Sequence, residues 1–164
     1  MGYQLFLLVC FLIIQFQCSG YGSGKKSQDF TLKELMAAPD TITVGGIKIV
    51  LETYLWRDFM PVSPPDGKPM RAVISLVPAN SDLLPPNVDA RRIWVIFQKE
   101  LWASSLESVG TGEFGEPRSR LEKMAAHGPK WGPGVEVTVV VEVMDEKGKS
   151  HLLKCDRQMI HRTD

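Results

Sequence analysis

The chain has little histidine, little cysteine and no excess of charge of either sign. Of its 164 residues, 3 are His and 3 are Cys, and 19 basic residues balance 19 acidic ones. A chain without net charge has no long-range field to draw it onto nucleic acid, so we expect no nucleic-acid role. The histidines form no HxxxH or HExxH pattern and no CxxC pair occurs, so we expect neither a metal nor another cofactor.

The common sequence signatures of catalysis are also missing. There is no GxSxG nucleophile motif, no Walker phosphate loop and no dinucleotide fingerprint. The segment 110–115 is glycine-rich, but no apolar strand precedes it and no Lys-Ser/Thr follows, so it is typical of a loop. We therefore expect a protein that is not an enzyme and has no catalytic residues.

The N-terminus carries a long apolar run, at residues 5–16, followed by a Gly/Ser-rich stretch. The run fits the core of a secretion signal and is shorter than the about 20 residues that a membrane span needs. The Gly/Ser stretch is typical of a flexible tether. These patterns predict a signal peptide at 1–18 and a flexible linker with a short helix at 19–39. An uncleaved signal that acts as a span stays an alternative.

Cys18 stands at the end of this apolar run. A cysteine there, followed by Ser19 and Gly20, resembles the bacterial lipoprotein signal, in which the cysteine becomes the lipidated first residue. Phe16 and Gln17 depart from the small residues that such signals prefer. The resemblance implies an extracytoplasmic protein anchored to a membrane by lipid at Cys18. Ordinary cleavage, giving a soluble periplasmic or secreted product, is the alternative.

Cys155 is then a single thiol in the mature chain, because Cys10 leaves with the signal. We expect Cys155 to face the core as a small hydrophobic side chain. A Cys18–Cys155 disulfide is the alternative, and it would tie the tether to a late strand.

Hydrophobic periodicity predicts short strands over most of the rest. Thr31 to Glu34 has the capping-box pattern of a short helix, and Pro39 ends that segment. Period-two alternation and turn residues then predict strands at 41–44, 47–55, 70–77, 92–96, 101–103, 135–143 and 150–155. The segments 57–69, 77–89 and 105–117 are predicted loops. The segment 118–126 fits a helix or a strand, and we favour the strand.

Seven to eight short strands indicate an all-β antiparallel sandwich over 40–164. Gly132 to Gly134 and the alternating strand and turn of 135–150 resemble the last hairpin of immunoglobulin-like domains, including bacterial Ig-like, fibronectin type III and PKD-type modules. The resemblance implies an immunoglobulin-like β-sandwich and no particular function. The segments 54–69 and 127–134 resemble uncharacterised bacterial exported or lipoprotein-like proteins.

Two tryptophans border loops rich in Gly and Pro. Trp56 is followed by Arg57, and Trp131 is preceded by Lys130. Aromatic and cationic side chains on stiff loops are typical of binding surfaces, so these four residues form the candidate binding surface. The alternative is that both rings close the ends of the sandwich.

We therefore expect a non-enzymatic cell-envelope module that binds or scaffolds a protein or glycan of the envelope. The alternative hypothesis is a small envelope enzyme, a hydrolase, with an unrecognised site. A pocket with converging titratable groups would favour the enzyme.

Overall fold

The computed structural model describes residues 29–80, 83–109 and 118–164. The predicted signal peptide, Cys18 and the tether around it lie outside these residues. Within the described residues there are one short helix and nine strands. They are α1 (Leu32–Met36), β1 (Thr41–Val44), β2 (Ile47–Asp58), β3 (Met70–Pro78), β4 (Asp89–Phe97), β5 (Glu100–Ser105), β6 (Glu107–Ser108), β7 (Leu121–Gly128), β8 (Glu136–Met144) and β9 (Ser150–Thr163). The prediction of an all-β protein is confirmed.

The strands form one hydrogen-bonded sheet in the order β5-β4-β8-β9-β2-β3-β7-β6, with β1 added to β2. β5 runs into β6 after Leu106, so the first and last strands of this order are consecutive in the chain. The sheet therefore curls into a nearly closed barrel. An immunoglobulin-like sandwich of two separate sheets is not confirmed, because the hydrogen bonds continue from one half to the other.

β9 joins the two halves of the barrel. It pairs antiparallel with β8 from Ser150 to Met159, and its last residues, Ile160 to Thr163, pair parallel with β2. Close to this change of partner, Arg157 has a φ of 52° and the β8–β9 register shifts between Val137 and Val139. Bends and bulges of this kind are how strands pass from one sheet to another.

The interior of the barrel is filled by the apolar face of each strand. The alternation predicted for β2 is confirmed, since its buried side chains all lie on one face. In β3 and β8 the inward residues are buried as predicted, but Ser75 of β3 and Val140, Glu142 and Met144 of β8 are buried on the other face as well. In β9 only Leu153 and Ile160 are buried. The buried residues of these strands include Ile49, Leu51, Leu55, Met70, Ala72, Ile74, Leu76, Val137, Val139, Val141 and Val143. The Gly45–Gly46 turn between β1 and β2 has φ of 56° and 85°, values that glycine adopts without steric cost.

Helix α1 packs on the outer face of the barrel. Its capping box is present, with Thr31 and Glu34 bonding each other's backbone N–H groups, as the sequence predicts. Leu35 is fully buried against Trp94, Ile96 and Val140. This contact explains why β4 is apolar on both faces: the interior covers one face and the helix covers the other.

The predicted loop at 105–117 is partly wrong. Leu106 is buried and its N–H donates to the carbonyl of Arg91 at 2.9 Å, and a two-residue strand, Glu107–Ser108, follows. The physical reason is that β5 turns here from its partner β4 to β7, and the apolar Leu106 fills the corner. Residues 110–117 lie outside the described part. The preference for a strand over 118–126 is confirmed for Leu121–Gly128.

An ion pair bridges the seam between β4 and β7. Lys123 lies on the inward face of β7 with only 8% of its surface exposed, and its Nζ lies 2.7 Å from a carboxylate oxygen of Asp89. A buried ammonium needs such a partner, because the cost of removing it from water is otherwise uncompensated. The pair fixes the beginning of β4 against β7.

We predict that Val139→Asp unfolds the domain. Val139 is fully buried on β8, and a carboxylate there would lose its hydration without gaining a partner, at a cost of several kcal/mol, comparable with the whole stability of a small domain. Val62→Asp is the matched control, because Val62 is 87% exposed. Thermal melts followed by circular dichroism should show no folded Val139→Asp and a near wild-type Val62→Asp. Equal melting temperatures for the two variants would contradict the inward register of β8.

Candidate binding surface at one end of the barrel

The side chain of Arg57 connects two loops at one end of the barrel. Its Nε donates to the carbonyl of Lys68 at 3.0 Å, and its Nη2 donates to the carbonyl of Asp66. Nη1 donates to the carbonyls of Lys130 and Trp131, at 3.0 and 3.2 Å. Arg57 is only 4% exposed, because it continues the inward face of β2. The guanidinium therefore binds the loop after β2 to the loop before β8.

The ring of Phe59 lies between two guanidinium groups beneath the first of these loops. The guanidinium carbon of Arg57 is 4.9 Å from the ring centroid and that of Arg162 is 4.2 Å away, both within cation–π range. Gly67 approaches the ring so closely that a Cβ at this position would lie 2.7 Å from it, and its φ is +73°. Glycine is therefore required at this turn, because a Cβ would clash with the Phe59 ring and because other residues rarely adopt this φ.

Two ion pairs also hold the same loops in place. Lys130 Nζ lies 2.6 Å from Asp66 Oδ2, and Lys68 Nζ lies 2.8 Å from Asp58 Oδ2. The hydrogen bond from Lys130 lowers the pKa of Asp66, and the one from Lys68 lowers the pKa of Asp58. Both carboxylates therefore stay ionised at neutral pH.

Trp131 packs across the barrel end towards the β4–β5 hairpin. Its Nε1 donates to Glu100 Oε2 at 2.7 Å, and its ring centroid is 5.5 Å from that of Phe97. The structure therefore brings together three of the four residues predicted from the sequence: Arg57, Lys130 and Trp131. Of these, Arg57 is buried and Lys130 is exposed.

Trp56 points the other way, onto the outer face of the barrel. Its ring stacks on Tyr54 with centroids 5.5 Å apart, and Tyr54 stacks on His161 of β9 with centroids 4.9 Å apart. Tyr54 is 47% exposed and His161 is also exposed. We call these three stacked rings the aromatic face. The sequence did not indicate His161 as part of this stack, because His161 reaches it only through the parallel β2–β9 pairing.

A cavity of about 180 Å³ adjoins the aromatic face at Trp56. Seven residues from β2, β3, β7 and the loop before β3 line it: Trp56, Asp58, Lys68, Pro69, Arg71, Ala126 and His127. Arg71 lies directly opposite Trp56 in the β2–β3 register. Both side chains therefore leave the sheet on the same side. We call this feature the Trp56 cavity.

A β-bulge forms the far wall of the Trp56 cavity. Met70 pairs with Gly128 and Ala72 pairs with Ala125, so two residues of β7 stand opposite the single residue Arg71. One of the two, His127, has a φ of 63°, an unfavourable conformation for a residue with a side chain. Bulges of this kind redirect side chains and occur often beside functional sites.

Elsewhere, His151 Nε2 lies 2.9 Å from Asp145 Oδ2 at the β8–β9 turn, and this hydrogen bond lowers the pKa of Asp145.

Cys155 is a free thiol packed against the core, and burial raises its pKa. The described residues contain no group of three or more His, Cys, Asp or Glu side chains arranged to hold a metal ion.

None of the helices in the described ranges is long and apolar enough to span a bilayer.

No family model matches this chain, and no curated protein matches it.

We predict that replacing Arg57 destabilises the fold even when a positive charge is kept. Arg57→Lys cannot reach carbonyls on both loops at once, and Arg57→Met leaves those carbonyls without a donor, a loss of about 3 kcal/mol. Arg91→Met is the control, because Arg91 is exposed on β4. Urea unfolding should show a lower midpoint for both Arg57 variants than for the control. Wild-type midpoints for the Arg57 variants would mean that the loops are held by other contacts.

Proposed function

We propose that this protein is an exported, non-enzymatic module of the bacterial cell envelope, anchored by lipid at Cys18, that binds a protein or glycan of the envelope. The observation that carries the proposal is the aromatic face, a stack of accessible rings beside a cavity on an otherwise ordinary barrel. The apolar run and the Cys18-Ser-Gly sequence support the location.

The aromatic face is suited to recognition because its rings are already ordered. Tyr54 lies between Trp56 and His161, so its side chain has little rotational freedom left to lose when a partner binds. Rigid aromatic side chains supply much of the binding energy at many interfaces.

The buried Arg57 supports this surface from below. Its hydrogen bonds fix the carbonyls of Lys68, Lys130 and Trp131, and so the loops that border the surface. The residue predicted from the sequence as a binding residue thus acts by positioning other residues. Lys130 is exposed and pairs with Asp66 of the first loop.

An immunoglobulin-like relationship is part of the same proposal. It is supported by the β8–β9 hairpin, whose alternating valines and 145–148 turn resemble the last hairpin of such domains. The binding role does not depend on that relationship, since a fold of this kind carries many functions.

We predict that Cys18 carries the lipid anchor. Cells grown with labelled fatty acid should incorporate the label into the wild-type protein and not into Cys18→Ala. Cys155→Ala is the control for labelling of a thiol elsewhere in the chain and should keep the label. Equal labelling of wild type and Cys18→Ala, or labelling of neither, would disprove the lipid anchor and leave export open.

We predict that the protein binds envelope material through the aromatic face. In cosedimentation with washed envelope fragments, wild type should pellet saturably, and Tyr54→Ala should reduce the bound fraction several-fold because it removes the middle ring of the stack. Leu101→Ala is the matched control, since Leu101 is 45% exposed on β5.

Two results would contradict this proposal. Wild-type protein that does not pellet above a background measured with albumin would disprove envelope binding. Equal losses for Tyr54→Ala and Leu101→Ala, with unchanged melting temperatures, would place the binding surface elsewhere on the barrel.

A further inference from the structure

We propose that the Trp56 cavity binds a sugar unit that carries a carboxylate, with the sugar ring against Trp56 and the carboxylate paired with Arg71. This inference rests on the proposed binding function and names the ligand class and the residues that recognise it. Four features of the cavity support this ligand: its charge, its apolar wall, its size and its rigidity.

The charge in the cavity favours an anion. Asp58 and Lys68 neutralise each other through their 2.8 Å ion pair. The side chain of Arg71 makes no hydrogen bond, ion pair or ring contact with any described residue. The side chain of His127, which also lines the cavity, makes none with those residues either. The guanidinium of Arg71 is therefore the uncompensated charge, and its planar set of donors matches a carboxylate.

The wall formed by Trp56 favours a ligand with a flat apolar face. The indole ring is half-buried, and its position is fixed by the stack on Tyr54. A sugar ring presents a face of C–H groups that packs on such a ring, while its hydroxyls need donors and acceptors around it. The ammonium of Lys68, the carboxylate of Asp58 and the imidazole of His127 stand around the same space.

The size of the cavity limits the ligand to a single ring. Its volume of about 180 Å³ is below the roughly 300–1,000 Å³ of pockets that enclose drug-sized ligands. The ligand is therefore one terminal or branching unit of a glycan, with the rest of the glycan lying along the aromatic face towards His161.

The cavity is held in shape by the backbone beneath it. The N–H of Lys68 donates to the carbonyl of Asp58 at 2.8 Å, and the carbonyl of Lys68 accepts from Arg57. On the opposite wall the bulge places two residues of β7, Ala126 and His127, across from Arg71. A site that is rigid before binding loses less entropy when the ligand arrives.

The test is a titration of the purified chain with D-glucuronate, D-glucose and acetate, followed by tryptophan fluorescence and by NMR shifts of the Arg side chains. Glucuronate should bind saturably, and glucose and acetate should bind at least tenfold more weakly, since each lacks one of the two recognised groups. Arg71→Ala should weaken glucuronate binding at least tenfold. Trp56→Ala should do the same and should also remove the fluorescence change.

Arg91→Ala is the matched control, because Arg91 is an exposed arginine on β4, in the other half of the barrel. Its affinity for glucuronate should equal that of wild type. Three results would overturn the inference: no saturable binding of glucuronate, equal binding of glucuronate and glucose, or equal losses in Arg71→Ala and Arg91→Ala. The melting temperature of each variant shows whether a loss of glucuronate affinity reflects unfolding. Arg71→Lys keeps the positive charge and should therefore retain part of the affinity.

The two proposals fail in distinguishable ways. If envelope fragments still bind the Arg71→Ala protein while glucuronate binds no form of it, the binding function stands and this site is wrong. If glucuronate binds wild type and loses affinity in Arg71→Ala, but envelope fragments do not bind, the site stands and its ligand lies outside the envelope.

Discussion

The buried guanidinium of Arg57 is the contact on which one end of this molecule depends. A charged group inside a barrel is costly unless its N–H groups find acceptors. Here the acceptors are backbone carbonyls of two loops that are far apart in sequence. The hydrogen-bond acceptors that the Arg57 guanidinium needs therefore determine the path of both loops. Because one of these acceptors is the carbonyl of Lys68, the same contact also positions one wall of the Trp56 cavity.

Barrel closure relies on strands that change partners. β5 leaves β4 at Leu106 and continues as β6 beside β7, while β9 leaves β8 and ends beside β2. The ion pair of Lys123 and Asp89 bridges the seam that remains between β7 and β4. Edge strands with unpaired N–H and C=O groups invite aggregation, and a nearly closed sheet leaves few of them.

The two faces of β2 have different surroundings. The face that contains Ile49, Leu51 and Leu55 fills the interior and ends in Arg57, which anchors the loops. The other face ends in the stacked rings of Tyr54, which is exposed, and Trp56, which is half-buried. One strand with period-two alternation thus supplies both the anchor of the loops and the stacked rings, and the neighbouring side chains of Trp56 and Arg57 point in opposite directions.

Local patterns in the sequence were enough to determine the helix at Thr31, the Gly45–Gly46 turn and the inward face of β8, because these depend on contacts between near neighbours or on simple alternation. The inward direction of Arg57 was not predicted, because the predicted strand ends at 55 whereas β2 continues to Asp58. Only the tertiary structure decided that β9 runs parallel to β2, that His161 joins Tyr54, and that Arg71 and His127 line the same cavity. These contacts join residues distant in the chain, and their register depends on how the whole sheet closes, which no local pattern records.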